Sequence, residues 1–196
     1  GSARYDFNWL NVLEKIYSNH KTNYKKENKK INIAFFVRTT AYNFKDQLYL
    51  MNEIKKISNV EIKTGNKPRE IVPLKISLYD QDELNTTQLI LWSDIVISSA
   101  TSILVESVQR NKLTICLEYL FTEKETVQSN FTSHPTVVKI ANSSKDTISI
   151  INEFALANKI NYVPKKDLKF FLKSFINQED ENYSILDNFV KIYSNI

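Results

Sequence analysis

Glycine is almost absent from this chain: 196 residues contain two, Gly1 and Gly65. Residues 1–3 open on Gly1-Ser2 and read as a cloning scar, which leaves Gly65 alone. One glycine cannot build a glycine-rich phosphate loop, so the Walker A and dinucleotide Gly-x-Gly-x-x-Gly readings are excluded. Any phosphate must be held by hydroxyls, cations and helix ends. Cysteine is equally scarce. Cys116 is the only one, so no disulfide closes within the chain, which fits a reducing, cytoplasmic compartment. Set in an apolar run, it reads as a small buried hydrophobe and not as a nucleophile. The two histidines, His20 and His134, are too few for a His/Cys zinc site, and no metal or resident cofactor is expected. No apolar run approaches the roughly 20 residues of a membrane span.

What is present describes a folded domain. Hydrophobic residues make up 42% and aromatics 12%, and the length suffices for one sizeable core. The net charge of +4 owes much to one segment, Lys21 to Lys30, in which Tyr24 interrupts the lysines. Basic residues interleaved with an aromatic invite a nucleic-acid reading. A solvated linker explains the same run more simply, and no nucleic-acid partner is expected. Such a linker can also hold a protein weakly to an anionic membrane surface, as a peripheral association at its inner face.

The periodicity changes in an ordered way along the chain. Apolar residues at helical spacing predict a helix over 6–18. A nearly continuous apolar run predicts a strand over 31–37. A helix follows over 44–57, with Phe44, Leu48, Met51, Ile54 and Ile57 inward, and then a short strand over 60–63. Residues 66–70 read as a loop and 74–78 as a strand. A helix capped by Asp82 spans 82–92, and strands are expected at 94–97 and 113–117 with a short helix between them. A long irregular loop, 118–135, leads to a strand over 136–140. Helices follow at 144–158, with Ser144 as N-cap, and near 165–177 and 181–194.

Buried strands alternating with amphipathic helices imply an α/β fold: a doubly wound, mainly parallel, Rossmann-like sheet flanked by helices. The organisation reads as a helix and basic linker over 4–30, the sheet domain over 31–160, and C-terminal helices over 161–196.

In such sheets ligands bind outside the carboxyl ends of the strands. That rule selects Arg38, Thr39 and Thr40 after the first strand, Lys63 to Arg69 after the second, and Ser98 to Ser102 after the strand at 94–97. The last is the most informative. Ser98, Ser99, Thr101 and Ser102 crowd a turn that opens a helix, where free backbone N–H groups and a partial positive charge suit a phosphate. Glu106 follows Ser102 by one helical turn and can accept hydrogen bonds from a ribose diol. The plainer alternative makes Ser99 an N-cap and Glu106 a solvated helix residue. His134 is a general base by residue type, although a surface loop histidine beside Pro135 is the simpler description.

The stretch from Trp92 to Cys116 also resembles the nucleotide-sugar-binding half of two-domain, GT-B-type glycosyltransferases, with looser similarity in element order over 31–160. It is most similar to bacterial enzymes of surface-polysaccharide and wall-teichoic-acid synthesis, the CDP-glycerol glycerophosphotransferase-like group. The shared pattern is an aspartate (Asp94), an apolar strand to Ile97, the Ser98–Ser102 cluster and an acid (Glu106). Asn111-Lys112-Leu113 then stands where the family has Gly-Lys-Pro. Lys67-Pro68-Arg69 resembles a Lys-Pro-His-Pro segment of that group without its histidine, so no catalytic role is carried over, and the catalytic residues stay unassigned.

The resemblance implies a C-terminal, donor-binding domain. Its substrate would be a nucleotide sugar or CDP-polyol, and its glycan acceptor would be presented by a missing N-terminal domain. Arg38, Thr39, Thr40, Ser98, Ser99, Thr101, Ser102 and Glu106 would hold the nucleotide and phosphates. Lys67, Arg69, Glu118 and Tyr119 are candidate donor contacts. A sugar-nucleotide epimerase or hydrolase half-domain of the same fold, and a non-catalytic Rossmann-like interaction module, are the competing readings.

Overall fold

Ile31–Val37 forms a strand, β1, in which all seven side chains are buried. A strand buried on both faces needs helices above and below it, and the computed structural model supplies them. It describes residues 30–38, 43–66, 84–121, 130–158 and 163–176. The expected helices at 6–18 and 181–194, the strand at 74–78 and the cap at Asp82 lie outside the described residues.

The order of elements is β1, α1 (Phe44–Lys55), β2 (Val60–Asn66), α2 (Thr86–Trp92), β3 (Ile95–Ser98), α3 (Ser102–Gln109), β4 (Leu113–Cys116), β5 (Lys139–Ile140), α4 (Ser144–Leu156) and α5 (Lys165–Ile176). Among the described residues five strands form one sheet in the order β2-β1-β3-β4-β5. Every pairing is parallel.

The two faces of β1 show how the sheet is covered. Ile31, Ile33, Phe35 and Val37 pack with Leu50, Met51 and Ile54 of α1 and Ile151 and Phe154 of α4. Ala34 and Phe36 point the other way, onto Leu89 and Ile90 of α2 and Ile103 of α3. Beyond them, Leu104, Val105 and Val108 of α3 join Cys116, Phe131, Val138 and Phe171 of α5. The sheet is thus wound on both sides.

Several boundaries move from their expected places for local reasons. On α1 the buried stripe is Gln47, Leu50, Met51 and Ile54; Leu48 is only partly buried, and Phe44 and Ile57 pack at the margin. The helix is rotated so that a polar residue, Gln47, faces inward. α2 is capped by Asn85, whose side chain accepts from Gln88 N while the Gln88 side chain accepts from Asn85 N. α4 is capped by Ser143, not Ser144: the Ser143 Oγ accepts from Asp146 N at 3.1 Å. Its inward residues are Thr147, Ile151 and Phe154, whereas Ala155 is exposed. The strand expected over 136–140 shrinks to Lys139–Ile140, because Val137 N and Val138 N both bond to His134 O in a turn.

No helix among the described residues is long and apolar enough to cross a membrane.

Candidate functional site

The strand order places a topological switch between β1 and β3. The chain leaves β1 for α1 on one face and enters β3 from α2 on the other, and the carboxyl ends at such a switch are where open α/β sheets hold ligands. Phe36 pairs with Ser98 across that boundary. Arg38 leaves β1 two residues further on, at the same edge as the Ser99–Ser102 turn.

The turn is a buried hydroxyl cluster. Ser98, Ser99 and Thr101 are 0%, 3% and 8% exposed. Ser98 Oγ and Thr101 Oγ1 lie 3.3 Å apart and share a hydrogen bond. Ser99 Oγ has no hydrogen-bond partner among the described residues. A buried hydroxyl left in that state costs about 1–3 kcal/mol, which a ligand oxygen would recover.

The helix that starts here differs from its neighbours. Thr101 is the N-cap of α3, yet its side chain makes no capping bond, and the first turn holds no acid. The N-termini of α1, α2 and α4 are closed by their own residues. Asn43 accepts from Asp46 N, the Asn85–Gln88 box seals α2, and Ser143 accepts from Asp146 N. Ser99 is therefore not the cap, contrary to the plainer reading of the sequence.

Glu106 is likewise not a solvated helix residue, being 2% exposed. Ile103, Leu104 and Val108 pack into the core clusters that line the sheet, and Ser107 Oγ bonds Thr114 Oγ1 of β4 at 2.7 Å. Helical geometry then puts Ser102, Glu106 and Gln109 together on the opposite face of α3. Glu106 and Gln109 are buried there all the same, so α3 is covered on every side.

Of the other sequence-derived candidates, Thr39, Thr40, Lys67 and Arg69 lie outside the described residues. Glu118 and Tyr119 sit on a short 3-10 turn, Glu118–Leu120, that follows β4 at the same sheet edge. The Tyr119 hydroxyl shares a hydrogen bond of 3.0 Å with Ser144 Oγ. Burial raises the pKa of Tyr119 above the ordinary phenol value, and that bond opposes the rise. Cys116 is fully buried, and burial, followed by the charge of Glu118, pushes its thiol up to about 12, far from nucleophilic behaviour.

His134 departs from the surface position expected of it. It is 6% exposed and its ring lies 5.1, 5.3 and 5.8 Å from those of Phe170, Phe171 and Phe175 of α5. Burial holds its pKa below the usual value. It belongs to the aromatic seam under α5, which removes the geometric basis for a general base at the sheet edge.

One residue of the site gave no signal in the sequence as a ligand-type group. Gln47 of α1 is 2% exposed; its Oε1 accepts from Arg38 N at 3.0 Å and its Nε2 donates to Arg38 O at 2.7 Å. Its only mark in the sequence is a polar residue at the head of the stripe Leu50, Met51, Ile54.

The Asn111-Lys112-Leu113 segment lies at the opposite edge. Asn111 has φ 53°, the left-handed region in which asparagine is the best tolerated residue after glycine. Lys112 Nζ donates to Leu91 O at 3.2 Å and Ser93 O at 2.7 Å, closing the C-terminal end of α2.

Among the described residues no group of three His, Cys, Asp or Glu side chains could hold a metal ion. The chain matches no protein-family model and no curated protein sequence.

Proposed function

We propose that this domain binds the diphosphate of a nucleotide-activated donor at the β1/β3 switch, as the donor half of a glycosyltransferase or polyol-phosphate transferase. The observation that carries this reading is the start of α3 without a side-chain cap, with Ser99 Oγ buried in the turn before it and without a hydrogen-bond partner among the described residues. Backbone N–H groups at a helix start, a hydroxyl ready to donate and the positive end of the dipole together suit a phosphoryl oxygen.

In this reading Ser98 and Thr101 shape the turn, Ser99 and Ser102 donate to the phosphates, and Arg38 offsets charge from the β1 side. The diphosphate becomes the leaving group of the transfer. Charge that develops on it as the bond to the sugar or polyol breaks is met by groups already in place, which is where electrostatic catalysis is most effective. Glu106 is the proposed acceptor for the ribose diol. At 2% exposure it serves that role only if its cover gives way on binding. The acceptor is a surface glycan at the cytoplasmic face of the membrane, brought by a second domain.

The test is titration calorimetry of the chain with UDP, CDP, UDP-N-acetylglucosamine and CDP-glycerol, followed by transfer assays with glycan acceptors. Saturable binding of a diphosphate, with no transfer by the chain alone, is expected. No binding by any of the four would reduce the hydroxyl turn to a structural feature. Conversion of UDP-N-acetylglucosamine without an acceptor would instead mark an epimerase or hydrolase.

A further inference from the structure

Gln47 and Arg38 are related by a two-point contact of a kind usually made between neighbouring strands. β1 ends at Val37, level with Asn66 of β2. Past that point the Arg38 peptide groups have left the sheet ladder, and a buried backbone group must find a partner elsewhere. The Gln47 amide supplies both partners: it accepts from Arg38 N–H at 3.0 Å and donates to Arg38 C=O at 2.7 Å. A weaker bond of 3.4 Å from Nε2 to Asn43 O ties the same amide to the first turn of α1.

We infer that Gln47 is a positioning residue: it locks the backbone of Arg38 at the β1/β3 switch so that the phosphate site is formed before the ligand arrives. The inference rests on the nucleotide reading given above. Its physical content is specific. Among uncharged side chains at neutral pH, a primary amide offers one acceptor and one donor in a single plane at this reach, which an ionised carboxyl does not. A hydrocarbon of the same size can offer neither. A carboxylate can accept from Arg38 N–H but turns a second acceptor toward Arg38 O. The burial of Gln47 on a helix face otherwise filled by Leu50, Met51 and Ile54 means the amide displaces apolar packing there. A position serving only to fill the core would favour leucine or methionine.

Three measurements test it, with UDP and CDP as separate probes. In the unliganded wild-type protein, the Arg38 amide should already be protected from hydrogen exchange. An amide that exchanges freely until a nucleotide is added would overturn preorganisation. In Gln47→Met, affinity should fall on the order of tenfold in a protein that still melts cooperatively; a folded variant with wild-type affinity would overturn the proposal. In Gln47→Glu, affinity relative to wild type should be poor at pH 8 and recover as the carboxyl takes up a proton and regains a donor. Because each value is a ratio at one pH, titration of the nucleotide cancels. A ratio that does not change with pH would assign Gln47 to structure alone. Failure of the wild-type protein to bind either probe would sink both the nucleotide reading and this one, whereas wild-type binding left intact in the variants would sink only the clamp.

Discussion

Gly65 and Phe36 face each other across β1 and β2, and the ring of Phe36 occupies the space where a side chain at residue 65 would start. A Cβ built on Gly65 would lie 2.5 Å from Phe36 Cε1 and 2.9 Å from Leu89 Cδ1. The one internal glycine of the chain thus serves a close approach and not a turn, since its φ is not positive. Gly65→Ala should destabilise the protein by about 1–3 kcal/mol, because Phe36 and Leu89 are buried and have little room to yield. Urea denaturation measures it, and a loss below about 0.5 kcal/mol would show that this packing relaxes freely.

Ser99→Ala should separate stability from function. The hydroxyl is buried and has no hydrogen-bond partner among the described residues, so its removal should leave stability unchanged or raise it by up to about 1 kcal/mol. Binding of UDP or CDP should weaken by about 1–2 kcal/mol as a donor to phosphate is lost. Thermal melting and calorimetry on the same variant give both numbers. A variant that melts lower and binds equally well would show that the hydroxyl has a structural partner and no ligand.

Glu106→Gln should weaken nucleotide binding by about 1.5–3 kcal/mol if the carboxylate accepts from a ribose diol. The amide keeps the shape of a side chain that is 2% exposed, which makes it a gentler probe than alanine. Comparison of UDP with 2′-deoxy-UDP sharpens the reading. Loss of the preference for ribose in the variant supports the contact, and an unchanged preference assigns Glu106 to the interior of α3's cover.

Asn111→Val should cost about 1–2 kcal/mol, the penalty of holding a β-branched residue in the left-handed region, while Asn111→Gly should be neutral or slightly stabilising. Nucleotide affinity should be unaltered in both, since Asn111 lies at the edge remote from Arg38 and Ser99. Denaturation midpoints and one binding titration check the pair.

Stability should fall on acidification through the His134 site. Its folded pKa lies below the unfolded value of 6.5, so the unfolded chain binds the proton first. The contribution of neutral His134 is fully present above pH 6.5 and declines as pH falls from there toward the folded pKa. His134→Phe, which keeps the aromatic seam with Phe170, Phe171 and Phe175, should remove that part of the slope. Denaturant midpoints compared at pH 7.5 and 5.5 in both proteins provide the check, and equal slopes would place the titration elsewhere.

The fold was legible wherever a periodicity outlasted one turn of helix or one buried strand. β1, α1, β3, α3 and β4 all follow from apolar runs and stripes, and the hydroxyl turn falls at the sheet edge as its composition implies. Local competition blurred the rest. Asn85, Asp82 and Ser143, Ser144 are all acceptable caps, and only the backbone geometry chooses among them. Thr136 and Val137 have strand propensity but are captured by the turn at His134. The burial of Glu106 and His134 could not be read, because a short charged or polar side chain in a helix or loop looks the same whether or not another segment covers it. Gln47 was invisible for a different reason: its partners are backbone atoms, which carry no residue type.

The sealed helix starts along the sheet edge bear on where an anion would come to rest. Asp46 and Asp146 occupy the first turns of α1 and α4, so those ends present carboxylates and not bare amides. Both aspartates also act on Tyr119, which places their charge along the same rim. Under the proposed function, these carboxylates would disfavour a diphosphate at the starts of α1 and α4 and leave the start of α3 as the favoured one. The position of such a ligand along the sheet would then be set by repulsion as well as by attraction. Neutralising Asp46 and Asp146 would then blur that position without altering any of the proposed ligand groups.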